Sequence, residues 1–202
     1  MPLITTLANA SARGYGGLRA AAGAANSYES IATVTVGSGG SSTITFSSIP
    51  STYTHLQLRI LAQTNRGTYG IDDLLMTFNS STSSYAYHFL FGDGGSSAAD
   101  AYSSQSNLRL GAGSVGTTTG SNWGAMVVDI LDYRSTNKNK TVRILGGADC
   151  NGTVGGLGGR VGLSSGLWYA TPAAVSSLTL TPSTGTSISQ YSHFALYGIK
   201  GS

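Results

Sequence analysis

From Tyr28 onward the apolar residues of this chain recur at every second position, and no later stretch carries a convincing helical pattern. The clearest case is Thr54–Thr64, T-H-L-Q-L-R-I-L-A-Q-T. Leu56, Leu58, Ile60 and Ala62 fall on one side, and His55, Gln57, Arg59 and Gln63 on the other, with Leu61 the apolar exception. Successive side chains of a strand point to opposite faces, so this alternation predicts a half-buried strand.

The same grammar runs through Ser27–Pro50, where two β-branched runs flank Gly37-Ser38-Gly39-Gly40. The spacing predicts that they fold back on each other as a hairpin, with the glycines supplying the positive φ of a tight turn. Further strands are predicted at Leu74–Phe78, Tyr85–Phe91, Leu108–Leu110, Ala125–Leu131, Thr141–Leu145, Val161–Tyr169, Val175–Thr181 and His193–Ile199. Gly92–Gln105, Gly111–Asn122 and Gly146–Gly159 read as loops rich in small residues. Nine to eleven short strands with short connections predict an all-β fold: an antiparallel β-sandwich of jelly-roll type.

Composition agrees with this and adds a constraint. Only 9% of the 202 residues are charged, against roughly 25% in ordinary soluble domains. Glycine, serine and threonine fill the difference. A surface so poor in charge protects weakly against self-association, which points to a subunit embedded in an assembly. The formal charge is +3, and Arg13 and Arg19 supply two of those charges, leaving the rest near neutral. No basic cluster interleaved with aromatics occurs, so no nucleic-acid partner is expected. Lys138-Asn139-Lys140 reads as a solvated loop.

Residues 1–26 form an Ala/Gly-rich leader that differs from everything after it. Four glycines weaken its helical tendency. Leu3, Ile4, Leu7, Tyr15 and Leu18 offer apolar anchors, and Arg13 and Arg19 offer charge. This predicts an extended N-terminal arm (1–26) that docks on neighbouring subunits, followed by a β-sandwich domain (27–202). The start lacks the pattern of a secretory signal, no apolar run reaches the length of a membrane helix, and no membrane insertion is expected.

Chemistry is hard to find. The acids Glu29, Asp72, Asp73, Asp93, Asp100, Asp129, Asp132 and Asp149 lie mostly at strand ends and in loops, where Asp serves as a turn residue. His55, His88 and His193 lack metal-ligand spacing. Gly162-Leu163-Ser164-Ser165-Gly166 has the letters of a nucleophile elbow, but strand and not helix is predicted after the serine. The single cysteine, Cys150, permits no intramolecular disulfide. No enzyme, cofactor or metal site is expected. Among eleven Tyr and two Trp, Trp123 and Trp168 sit beside loops and are candidate glycan contacts at the rim of the sandwich.

Glu29–Arg59 (E-S-I-A-T-V-T-V-G-S-G-G-S-S-T-I-T-F-S-S-I-P-S-T-Y-T-H-L-Q-L-R), Tyr87–Gly94 (Y-H-F-L-F-G-D-G), Ser189–Gly201 (S-Q-Y-S-H-F-A-L-Y-G-I-K-G) and the leader piece Ala10–Gly16 (A-S-A-R-G-Y-G) together resemble a family of tailed-bacteriophage virion proteins, many from marine and environmental phages. The resemblance marks a β-scaffold and carries over no catalytic residue. It implies a virion component, in a tail, fibre or capsid decoration, held to other virion proteins by the arm and forming homo-oligomers. The alternative it leaves open is a module that binds a host receptor or surface glycan.

Overall fold

The computed structural model describes residues 27–111, 115–154, 157–170 and 172–200, and every regular element in them is a strand. Numbered along the chain, the larger sheet runs in the order β1 (Tyr28–Thr35), β14 (His193–Ile199), β3 (His55–Thr64), β10 (Gly124–Leu131), β11 (Lys140–Val154), β12 (Leu157–Trp168), β6 (Tyr85–Gly92) and β7 (Ser97–Gln105). Two short strands, β4 (Ile71–Asp72) and β9 (Val115–Thr117), extend it beside β3. The smaller sheet is β2 (Ile44–Phe46), β13 (Leu178–Pro182), β5 (Leu74–Phe78) and β8 (Leu108–Arg109). All pairings are antiparallel except a short parallel match of β3 with β9.

The sheets meet through one hydrophobic cluster. Leu56, Leu58 and Ile60 of β3, Met126, Val128 and Ile130 of β10, and Phe194 and Leu196 of β14 share it with Phe46, Leu74, Met76, Phe78, Leu178 and Leu180 of the small sheet. This is how an antiparallel sandwich buries one face of each sheet. The all-β, antiparallel, two-sheet expectation therefore holds, and β3 buries the four residues its alternation selected. The expected arm, residues 1–26, lies outside the described residues.

The predicted hairpin of Ser27–Pro50 does not form. β1 pairs with β14, from Tyr28 opposite Ile199 to Thr35 opposite His193. β2 pairs with β13 in the other sheet, Ile44 opposite Leu180 and Phe46 opposite Leu178. The glycine turn is real, with Gly40 N–H donating to the Gly37 carbonyl at 3.2 Å. It serves as a corner: Ser41 and Ile188 exchange backbone bonds of 2.9 and 2.7 Å just beyond it, and the chain passes between sheets. Periodicity tells which face of a strand is buried, and a strand's neighbour is decided by the rest of the fold.

Two predicted loops are strands. Ser97–Gln105 is β7, paired with β6. Most of Gly146–Gly159 lies inside the long β11–β12 hairpin, with Gly146 opposite Gly162 and Gly147 opposite Val161. Glycine and serine have weak strand propensity, and pairing to a formed neighbour overrides it. Lys140 is a further correction. It is fully buried, unlike the exposed Lys138, and its Nζ donates to the carbonyls of Ser135 and Lys138. Its charge closes the β10–β11 turn instead of facing water.

Candidate interaction face

One face of the large sheet is covered by the small sheet, and among the described residues nothing covers the other. Cross-strand register lines apolar residues up on that open face. Val127 stands opposite Leu145, Leu145 opposite Leu163, Leu163 opposite Leu90, and Leu90 opposite Ala99. A second row joins Leu61, Ala125, Gly147 and Val161. Leu145 is 60% exposed, Val161 64%, Leu90 55% and Leu163 54%. At ~30 Å² of sheet plane per outward residue, the two rows cover roughly 300 Å², a size at which an exposed apolar patch is often functional.

The strand β12 explains how this face arises. Val161, Leu163 and Leu167 point away from the core, while Gly162, Ser164 and Gly166 point into it. The usual polarity is reversed. A Cβ on Gly166 would lie 2.1 Å from Leu108 Cδ1, so β8 already fills the space where a large inward side chain would go. The aliphatic residues that remain have no partner among the described residues, and sequence alternation alone did not reveal this because it does not say which phase faces the core.

A polar row borders the apolar ones. Gln57 Nε2 donates to Asp129 Oδ1 at 2.9 Å, and Asp129 stands opposite Arg143, which stands opposite Ser165. Arg59 Nε donates to Gln57 Oε1 at 2.9 Å and lies 5.1 Å from the Tyr197 ring centroid. An apolar centre with a polar margin of both signs is the anatomy of a protein–protein contact. A shallow groove of about 730 Å³ between His88, Leu90, Arg143, Leu163 and Ser165 runs across the junction of these rows.

The face ends in open edges. Among the described residues β7 has no neighbour on its outer side, and it is exposed along almost its whole length. Its one charge is Asp100, which accepts from Tyr102 Oη at 2.7 Å and from Ala101 N–H at 2.9 Å. These bonds hold the Asp100 carboxyl below the usual range, the Tyr102 hydroxyl contributing most. A long edge with unpaired backbone groups is a template for another strand.

The two tryptophans separate. Trp123 is 38% exposed and lines a second shallow groove, about 570 Å³, with Leu61, Asp93, Asp149, Arg160 and Val161. Trp168 is 5% exposed, with its ring centroid 5.6 Å from Phe78 and 6.3 Å from Tyr85. It presents no face to solvent, and the expected rim position does not hold for it. The arm residues Leu3, Ile4, Leu7, Arg13, Tyr15, Leu18 and Arg19 lie outside the described residues.

The remaining candidates have structural places. Ser164 sits buried inside β12, its hydroxyl donating to the His88 carbonyl at 3.1 Å, with strand on both sides. His55 Nδ1 accepts from Asp132 N–H at 2.9 Å, and His193 Nδ1 lies 3.0 Å from Thr35 Oγ1. Cys150 is buried, and burial pushes its thiol up. Among the described residues no group of three or more His, Cys, Asp and Glu is placed to hold a metal ion, and no helix is long and apolar enough to cross a membrane.

No family model matches the chain, and no curated protein matches it. Among solved structures it is similar to mouse laminin α1 chain domains LG4-5 at 9% identity and a TM-score of 0.22, covering 80% of this chain and 44% of that one. The VP2 subviral particle of infectious bursal disease virus aligns at 15% identity and a TM-score of 0.12, over 86% of this chain and 41% of that one. The structure of the Gx strain of that virus aligns at 15% identity and a TM-score of 0.11, over 86% and 42%. The chain spans less than half the length of each. Scores this low carry no argument about what the protein is.

Proposed function

We propose that this chain is a structural subunit that works by packing against copies of itself. Its place, from the family its sequence resembles, is a tailed-phage virion, in the tail, a fibre or a head decoration. Residues 1–26 attach it to other virion proteins, and the two-sheet domain is displayed. The observation that supports this is the open face of the large sheet, where Leu145, Val161, Leu163 and Leu90 project into solvent. Asp129 and Arg143 on the same face provide both signs of charge, so two copies can match margins as well as centres.

Light scattering after gel filtration tests the oligomer. The wild-type chain is expected to associate, and Leu145→Thr with Leu163→Thr, which keeps β-branched strand formers at this cross-strand pair, is expected to give folded monomers, because neither side chain packs in the core. A wild-type chain that stays monomeric at high concentration overturns self-packing. The virion role has its own test: deleting residues 1–26 should abolish incorporation into particles while the domain stays folded.

A second reading rests on Trp123, whose exposed indole sits beside Asp93, Asp149 and Arg160. Aromatic faces with polar neighbours hold sugar rings, so this groove supports a glycan-binding role at the host surface. Glycan-array binding that Trp123→Ala abolishes would carry it, and a blank array would end it.

A further inference from the structure

Away from the open face, a cleft of about 230 Å³ is formed by the loop after β3, β4, β8 and β12. Arg66, Arg109 and Arg160 line it together with Tyr69, Asp72 and Asp73. In sequence these arginines are far apart, and no motif links them.

The two carboxylates are occupied differently. Asp72 is buried and accepts from Thr64 Oγ1 at 2.9 Å, Thr184 N–H at 3.2 Å and Gly185 N–H at 2.9 Å. It serves the backbone. Asp73 accepts from Arg109 Nε at 2.8 Å and from Arg109 Nη2, and it lies 3.8 Å from Arg160 Nη1. Among the described residues no carboxylate lies within ion-pair distance of Arg66. Its Nη1 donates to the Ile71 carbonyl at 3.1 Å, and its guanidinium stacks 4.3 Å from the Tyr69 ring centroid.

Three guanidinium groups thus line the cleft with two carboxylates, and Asp93 adds a third negative charge on the outer side of Arg160. The Nε atoms of Arg66 and Arg160 are buried and, among the described residues, have no hydrogen-bond partner. A buried donor with no acceptor is costly, more so on a charged group. Burial lowers the Arg160 pKa, with Arg109 and Arg66 adding to the effect and the Asp73 and Asp93 carboxylates opposing it. Arg160 is held in place by the Phe91 ring at 4.2 Å and by the Gly111 carbonyl at 3.4 Å.

We propose that this cleft is a binding site for a carboxylate, taken in by Arg66 and Arg160. The planar guanidinium fork fits a carboxylate or a phosphate two-pronged. The lining carboxylates decide between them: Asp72 and Asp73 repel a second negative charge, which favours a carboxylate monoanion over a phosphate dianion. The volume is below that of sites for drug-sized ligands. It admits a carboxyl group and its immediate neighbours, whether a free small acid or the carboxylate of an acidic sugar.

Calorimetric titration of the full chain at low ionic strength, with sodium acetate, sodium glucuronate and inorganic phosphate, tests this. Both carboxylates are expected to bind saturably and more tightly than phosphate. Tighter binding of glucuronate than acetate identifies an acidic sugar as the source, and equal binding identifies the bare carboxylate. Arg66→Gln should weaken carboxylate binding about tenfold or more, the effect of losing a charged hydrogen bond. Arg66→Lys, which keeps the charge without the fork and covers a failure of the first variant to fold, should also weaken it. Absence of saturable binding, phosphate binding as tightly as the carboxylates, or undiminished binding by a folded Arg66 variant overturns the assignment. None of these outcomes depends on self-association through the open face.

Discussion

Gly198 and Tyr53 divide the space of one side chain: a Cβ on Gly198 would lie 2.2 Å from Cγ of the Tyr53 ring. Tyr53 lies between Glu29, to which its hydroxyl donates at 2.9 Å, and Tyr133, whose Oη accepts from its backbone N–H at 3.4 Å. The ring therefore closes one end of the sandwich over β14, and Gly198 is the residue that lets it lie flat.

Gly198→Ala should push that ring out of place and destabilise the fold by about 1–3 kcal/mol, the usual cost of overpacking. Thermal unfolding measures this. A melting temperature equal to wild type would show that Tyr53 moves aside freely.

Asp72 should be among the most sensitive positions in the chain. Asp72→Ala leaves the Thr64 hydroxyl and the N–H groups of Thr184 and Gly185 without their acceptor. The buried Thr64 hydroxyl is the costly orphan, at about 1–3 kcal/mol, while Thr184 and Gly185 lie nearer the surface where water can replace the acceptor, so denaturant melts should show a loss of about 1–3 kcal/mol. Amide exchange should speed up at Thr184 and Gly185 before it does in β3. Unchanged protection there would place the main role of Asp72 elsewhere.

Acid should weaken the protein by a route that can be traced. The Lys200 ammonium and the Tyr53 hydroxyl hold the Glu29 carboxyl below its usual range, and Lys138 does the same for Asp132. Backbone N–H groups of Ser96 and Gly95 depress Asp93. A carboxyl with a depressed folded-state pKa adds stability that is complete above the unfolded value and disappears as pH falls through the folded one. Melting temperature should thus be flat above about pH 5 and fall below about pH 4. Glu29→Gln should flatten part of that fall, and an identical acid limb in this variant would remove Glu29 from the account.

Lys140 offers a test of how the β10–β11 turn is held. Lys140→Met keeps the buried stem and removes the ammonium that Ser135 and Lys138 use as a donor. A loss of about 1–3 kcal/mol is expected from the orphaned carbonyls, whereas Lys138→Met, at an exposed site, should change stability by under about 1 kcal/mol. Equal effects of the two substitutions would contradict the structural distinction between them.

Leu56, Leu58, Ile60 and Ala62 announced β3 because burial of one face imposes period two on the sequence. The run Ala125–Leu131 likewise became β10. β7 was invisible because Ser97–Gln105 has little apolar content, and only its pairing with β6 makes it a strand. The carboxylates Asp72 and Asp73 read as turn residues, and nothing in their neighbours hinted that Arg109 and Arg160 would converge on Asp73.

The amino-acid sequence by itself determined that the chain is all-β, which residues line the core of strands such as β3, and that its surface is poor in charge. These are local properties, written in the alternation of side chains and in composition. Only the tertiary structure decided that β1 and β2 part company into different sheets, that β12 turns its aliphatic residues outward, and that three distant arginines share one cleft. Those depend on which strands pair and in what register, and pairing energy belongs to two segments at once, so neither segment records it alone.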